Sequence, residues 1–196
     1  DARFLAELIR NKIRVRYAHK PFTLDGISHE RGTLIITKSD NKQIKNFNTI
    51  LTNASKNHNK TITSTNTGFV ESGKDFGSGY VDVIQDLNIA VLSGEPTSTL
   101  RFGEIWNFFE QQLNYPISVL DEDYFSRVDL TTYDILILPD GWGYKSFLST
   151  HIKEKIKDWV KRGGKLIVMG GAIDALTSSD KDFTIKEKEI EKDSSN

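Results

Sequence analysis

Short apolar strands alternate with amphipathic helices through the second half of the chain, and this alternation constrains the fold more than any other feature. The strands are apolar along their whole length and rich in β-branched residues, which is typical of a parallel sheet covered on both faces. Six segments carry the pattern, namely strands at 88–92, 116–120, 134–139 and 165–169 and helices at 101–113 and 145–161. From about residue 86 onward we therefore predict a doubly wound α/β fold, a mostly parallel sheet with helices on both faces.

The earlier part of the chain shows shorter and less regular patterns. Periodicity and composition there predict helices at 3–11 and 41–57, strands at 13–17, 32–37 and 61–63, and a long loop rich in Gly, Ser, Asn and Asp at 66–80. We expect three regions. Residues 1–85 form an N-terminal α/β segment packed with the main domain, residues 86–178 form that domain, and residues 179–196 form a charged linker or tail.

Composition excludes several classes of function. Lys and Arg number 26 against 27 Asp and Glu, a net charge of −1, so we expect no general nucleic-acid surface. No apolar run approaches the ~18 residues of a membrane span. The chain has no Cys, which excludes disulfides, thiolate zinc sites and a thiol nucleophile. The oligomeric state stays open.

Two short motifs resemble functional sites, but the residues in and around them argue against those functions. Residues 68–75 read GFVESGKD, one residue short of a P-loop, but Asp75 stands where a hydroxyl should hold Mg²⁺ and Glu71 adds a second carboxylate. We therefore predict an ordered glycine-rich connection. His151 and Glu154 match half of a zinc site, yet no later His follows, so we predict a solvent-facing pair on a helix.

The carboxyl ends of the predicted strands form the best candidate pocket. In a parallel sheet of this kind, ligands bind in the crevice outside these strand ends. The residues placed there are Ser93, Gly94, Glu95, Asp140, Gly141, Trp142, Gly170 and Gly171. Glu95 and Asp140 are candidates for acid–base groups or for cation ligands. The competing interpretation is that the glycines only permit tight turns and that Asp140 caps the helix following it.

Several of these segments resemble a known family. They are 31–36, 68–78, 91–95, the long motif FGEIWNFFEQQL at 102–113, 133–139, and GGKLIVMGGA at 163–172. Together they resemble the class I glutamine amidotransferase-like fold, which is an α/β sheet of the flavodoxin-like kind. In particular, they are similar to the amidotransferase-like domain that follows the catalytic domain in a group of bacterial zinc carboxypeptidases of the carboxypeptidase A type. The resemblance covers most of residues 1–176.

The resemblance implies an accessory role. True amidotransferases carry a nucleophilic Cys at the turn after a strand, and the matching position here is Gly170. The chain begins without Met and ends in a charged run, so we expect it to be part of a longer protein. The resemblance then implies a non-catalytic domain whose partner is the parent's own peptidase domain. That domain would hold the zinc and perform proteolysis, and the parent would be secreted or periplasmic.

Two other functions remain open at this stage. One is a small-ligand or carbohydrate-binding module that uses the strand-end crevice. The other is a thiol-free hydrolase that uses Glu95 or Asp140, which would require two carboxyl groups facing each other across an open pocket.

Overall fold

The computed structural model describes residues 2–177 and Phe183. The chain divides into two compact units, Asp1–Asp86 with Gln111–Tyr115, and Leu87–Glu110 with Pro116–Asn196. Of the predicted tail at 179–196, all but Phe183 lies outside the described residues. No helix in the described part of the chain combines the length and apolar character that crossing a membrane requires.

The first unit combines two helices with five short strands. In chain order these are α1 (Ala2–Arg10), β1 (Arg16–Ala18), β2 (Phe22–Leu24), β3 (Ile27–His29), β4 (Leu34–Ile35), α2 (Phe47–Asn57) and β5 (Val81–Val83). Strands β4, β1 and β5 form an antiparallel sheet in that order, and β2 pairs with β3 in a hairpin. Helices α1 and α2 bury Phe4, Leu8 and Ala54 against Ile13 and Val15.

Two predictions for this unit are confirmed, and two differ from the structure. The helix at 3–11 is confirmed as α1, and the irregular segment at 66–80 is confirmed as a loop. The predicted strand at 61–63 is wrong, because these residues are exposed and irregular and β-branched residues form a strand only beside a partner. The helix expected from residue 41 begins at Phe47, because the Asn41 side chain bonds the backbone of Arg14 and holds a turn instead.

The second unit is built on a four-stranded parallel sheet flanked by helices. Its elements are β6 (Ile89–Ser93), α3 (Thr99–Trp106), β7 (Ser118–Asp121), α4 (Glu122–Phe125), β8 (Ile135–Leu138), α5 (Tyr144–Phe147), α6 (Thr150–Lys161), β9 (Lys165–Val168) and α7 (Gly171–Thr177). The strand order is β7-β6-β8-β9, which places the first strand inside the sheet. This α/β arrangement is consistent with a flavodoxin-like fold.

The two faces of this sheet are covered unequally. On one face Leu92 and Leu138 are buried in a core that includes Ile156 and Trp159 of α6. On the other face a row of paired residues crosses the sheet, Val119–Val91–Ile137–Ile167. Its middle members are buried, whereas Val119 is 47% and Ile167 41% exposed. The outer strands of this second face therefore lack the full helical cover that the sequence predicts.

The predicted elements of this unit match the structure to within a few residues, with two differences. The helix expected at 101–113 runs as α3 only to Trp106 and continues as a π-helix, Asn107–Leu113. The helix expected at 145–161 is divided at Leu148, which is buried with non-helical backbone angles before α6 begins at Thr150. The predicted stop at Gly163 is confirmed, with φ +106° just beyond the end of α6.

Candidate functional site

The loops that follow β6 and β8 lie side by side at the carboxyl edge of the parallel sheet. Ser93 ends β6, and Gly94 and Glu95 follow it. The Ser98 N–H donates to the Asp140 carbonyl over 3.0 Å, and the Trp142 N–H donates to the Pro96 carbonyl over 2.9 Å. These main-chain bonds hold the two loops together.

Glycine at positions 141 and 171 makes the close approach of three loops sterically feasible. A Cβ added to Gly141 would overlap the Pro96 carbonyl oxygen, and one added to Gly171 would overlap the Gly141 carbonyl oxygen. The loops after β6, β8 and β9 therefore meet main chain to main chain. At these two positions the loops leave no space for a side chain.

Asp140 connects the loop after β8 to α7. Its Oδ1 accepts the N–H of Gly171, the first residue of α7, over 2.8 Å, which satisfies a donor that a helix N-terminus leaves free. Its Oδ2 lies 3.9 Å from Arg101 Nε. The prediction that Asp140 caps the helix following it in sequence is wrong, because α5 has Gly143 at its N-cap and no side-chain cap.

Gly170 forms the tip of the turn between β9 and α7. Its φ is +50°, in the left-handed region. A Cβ at this position would overlap the Asp140 carboxylate, Oδ1 above all. The Asp140 carboxylate thus occupies the space that a side chain at position 170 would need.

Glu95 lies in an acidic neighbourhood. Partial burial raises the pKa of Glu122, and the nearby charges of Asp123, Asp121 and Glu95 raise it further. Asp121 accepts the Asp123 N–H over 3.0 Å and caps α4. Within residues 2–177 and Phe183, no group of three or more His, Cys, Asp or Glu side chains is placed to hold a metal ion.

Large side chains after three of the strands point into solvent at this edge. Trp142 is 84% exposed, Leu100 is 69% exposed, and Tyr124 is 60% exposed. They follow β8, β6 and β7 respectively. Exposed apolar side chains favour contact with a ligand or a partner where they form a continuous patch.

Tyr144 and Arg101 were not predicted from the sequence. The Tyr144 hydroxyl is buried, donates to the Pro139 carbonyl over 2.6 Å and lies 3.2 Å from Thr97 Oγ1. Burial raises the pKa of Tyr144 to about 12. The available signal was an aromatic residue directly after Gly143, one residue before the predicted helix.

The P-loop-like segment is an ordered connection, as predicted. Asp75 Oδ1 accepts the Val70 N–H over 2.8 Å, and Glu71 Oε1 accepts the Gly26 N–H over 3.1 Å. Both carboxylates thus accept hydrogen bonds from main-chain amides of the first unit. The segment has no regular secondary structure up to residue 80.

His151 and Glu154 are both exposed on α6, as predicted for a solvent-facing pair. The expectation that they form no metal site stays a prediction.

Comparisons of the chain with protein-family models, with curated proteins and with solved structures found no match. The expected family therefore rests on the sequence motifs alone.

Proposed function

We propose that this chain is a non-catalytic accessory module of the class I amidotransferase-like kind, attached to a secreted or periplasmic zinc carboxypeptidase. The proposal includes a doubly wound form of the parallel sheet. It assigns zinc binding and proteolysis to the peptidase domain of the parent, which is also the partner of this chain. It assigns neither a metal nor a catalytic residue to these 196 residues.

The turn after β9 is the observation that supports this proposal most strongly. A nucleophile elbow presents its reactive side chain on a sharp turn from a strand into a helix. The turn at Gly170 has this strand–turn–helix order and a left-handed residue at its tip. Glycine offers no attacking group, and the Asp140 carboxylate fills the place of a side chain. The backbone therefore has the form of an elbow without the nucleophile that amidotransferase chemistry needs.

Two assays on the purified protein test the absence of catalysis. We expect no hydrolysis of glutamine or of peptides with free carboxyl termini, and no zinc retained after dialysis against a weak chelator. Stoichiometric retained zinc or measurable glutamine turnover would overturn the proposal.

A second candidate function is supported by the exposed side chains that follow the strands of the second unit. Trp142, Leu100 and Tyr124 are exposed, and the charged groups of Asp140 and Arg101, near the first two in sequence, lie 3.9 Å apart. Sites for small ligands combine apolar and aromatic side chains with a few polar groups. Soluble oligosaccharides should then raise the melting temperature of the wild type. Trp142→Ala should abolish the rise, whereas Phe69→Ala, which removes another exposed aromatic side chain, should retain it. A panel that leaves the wild type unshifted would remove this candidate.

A further inference from the structure

A polar hollow lies in the first unit, beside the start of α2. It has a volume of about 540 Å³ and is lined by the turn segment 38–46 and by the start of α2. Three lysines, Lys38, Lys42 and Lys45, contribute to its wall, and no carboxylate does.

The turn segment is fixed to the body of the unit by one buried side chain. Asn41 is 2% exposed. Its amide oxygen accepts the Arg14 N–H over 2.8 Å, and its Nδ2 donates to the Arg14 carbonyl over 3.0 Å and to the Thr37 carbonyl over 2.9 Å. Two successive turns pass through Asn41, with its N–H bonded to the Lys38 carbonyl and its carbonyl accepting the Ile44 N–H. These bonds fix the backbone that carries the lysines.

The carboxylate nearest to these lysines in sequence, that of Asp40, is paired with Arg16. Both oxygens of Asp40 bind the Arg16 guanidinium, at 2.6 Å and 3.0 Å. Among the described residues, none of the three lysines forms an ion pair. No described carboxylate therefore pairs with the three ammonium groups, and none lines the hollow.

Main-chain donors add to this cationic wall. Phe47, Asn48 and Thr49 line the hollow and form the first turn of α2, in which the Asn46 side chain makes no capping bond. The first intrahelical bond is donated by the Ile50 N–H to the Asn46 carbonyl. The amides of the three lining residues are thus free of intrahelical partners.

We propose that this lysine-lined hollow binds the phosphate group of a small soluble ligand. Lysine ammonium groups and N–H donors around a space without carboxylates match the charge and the acceptor oxygens of a phosphate dianion. The lysines and the cavity carry the proposal, and the amides of α2 supply further donors. The proposal does not rest on the accessory function, whose main support is the turn after β9 in the second unit.

Calorimetric titration with inorganic phosphate at constant ionic strength tests the site. The wild type should show saturable binding, and Lys42→Gln/Lys45→Gln should bind at least about tenfold more weakly, because two charge-assisted contacts are lost. The control Lys56→Gln/Lys145→Gln removes the same charge from exposed positions outside the hollow and should bind like the wild type. Substitutions of exposed lysines should leave the circular dichroism spectrum unchanged.

Three results would overturn the proposal. They are no saturable phosphate binding by the wild type, equal weakening in both double variants, and acetate binding as tight as phosphate binding. The second would indicate a general effect of net charge, and the third would indicate a site for any anion.

Discussion

Gly170 and Asp140 determine what the turn after β9 can do. The carboxylate bonds the first amide of α7 and occupies the space beside the left-handed residue at the tip. A side chain at position 170 would meet that carboxylate before it met a substrate. Position 170 therefore lacks both a reactive side chain and the space for one.

The change in the free energy of unfolding when Gly170 is replaced measures this overlap. Gly163 provides a matched control, because its φ of +106° is also positive but an added Cβ there would meet nothing. Gly163→Ala should lower the free energy of unfolding by about 1 to 2 kcal/mol through backbone strain alone. Gly170→Ala should cost about 3 kcal/mol or more, because overlap is added to strain. Chemical denaturation measures both.

The double variant Asp140→Ala/Gly170→Ala separates overlap from strain. Removing the carboxylate should make the added methyl at position 170 less costly than it is in the wild-type background, which a double-mutant cycle detects. Equal costs for Gly170→Ala and Gly163→Ala would contradict the assigned overlap.

At this scale the sequence predicted where the candidate residues lie but not what they do. Strand ends can be located from apolar runs, so Asp140 and Gly171 could be assigned to one edge of the sheet. The bond between them joins loops after different strands, and a single sequence carries no signal for such a pairing. The same limit applies to Arg101 beside Asp140.

At the scale of elements, an ion pair connects β1 to the turn before α2. Arg16 lies in β1, and its guanidinium binds the Asp40 carboxylate. Arg16 lowers the pKa of Asp40 from 3.8 to about 2, mainly through this hydrogen bond. Both side chains are mostly buried, so the pair is screened less than a surface pair.

Acid titration tests this connection. Because folding lowers the pKa of Asp40, the deprotonated form stabilises the fold. The contribution is full above about pH 4 and is lost as the pH falls toward 2. It amounts to about 2 kcal/mol. Asp40→Asn should lower the free energy of unfolding at pH 7 by about this amount and should flatten its decline between pH 4 and 2. Parallel pH profiles for variant and wild type would contradict the assignment.

The elements themselves were predictable where the pattern was long and local. The four strands of the second unit and the stop of α6 at Gly163 follow from apolar runs and glycine. The segment at 61–63 failed because strand formation depends on a partner that the local sequence does not specify. The change from α3 to a π-helix at Asn107 could not be predicted from the spacing of apolar residues either, because that spacing is similar in the two kinds of helix.

At the scale of the molecule, the chain divides into two units near Leu87. The second contains the parallel sheet and the candidate strand-end site, and the first contains the lysine-lined hollow. Residues 111–115 cluster with the first unit although the second surrounds them in sequence. A boundary of this kind depends on tertiary contacts, so a pass along the sequence cannot locate it.

We have proposed that the chain serves a zinc carboxypeptidase as a module without catalysis of its own. Sequencing the native gene on both sides of the region that encodes these 196 residues tests it most directly. We expect an in-frame peptidase domain with a His-x-x-Glu pair and a distant later His, the ligands of a catalytic zinc. A complete reading frame that encodes this chain without a peptidase domain would rule out the proposed role.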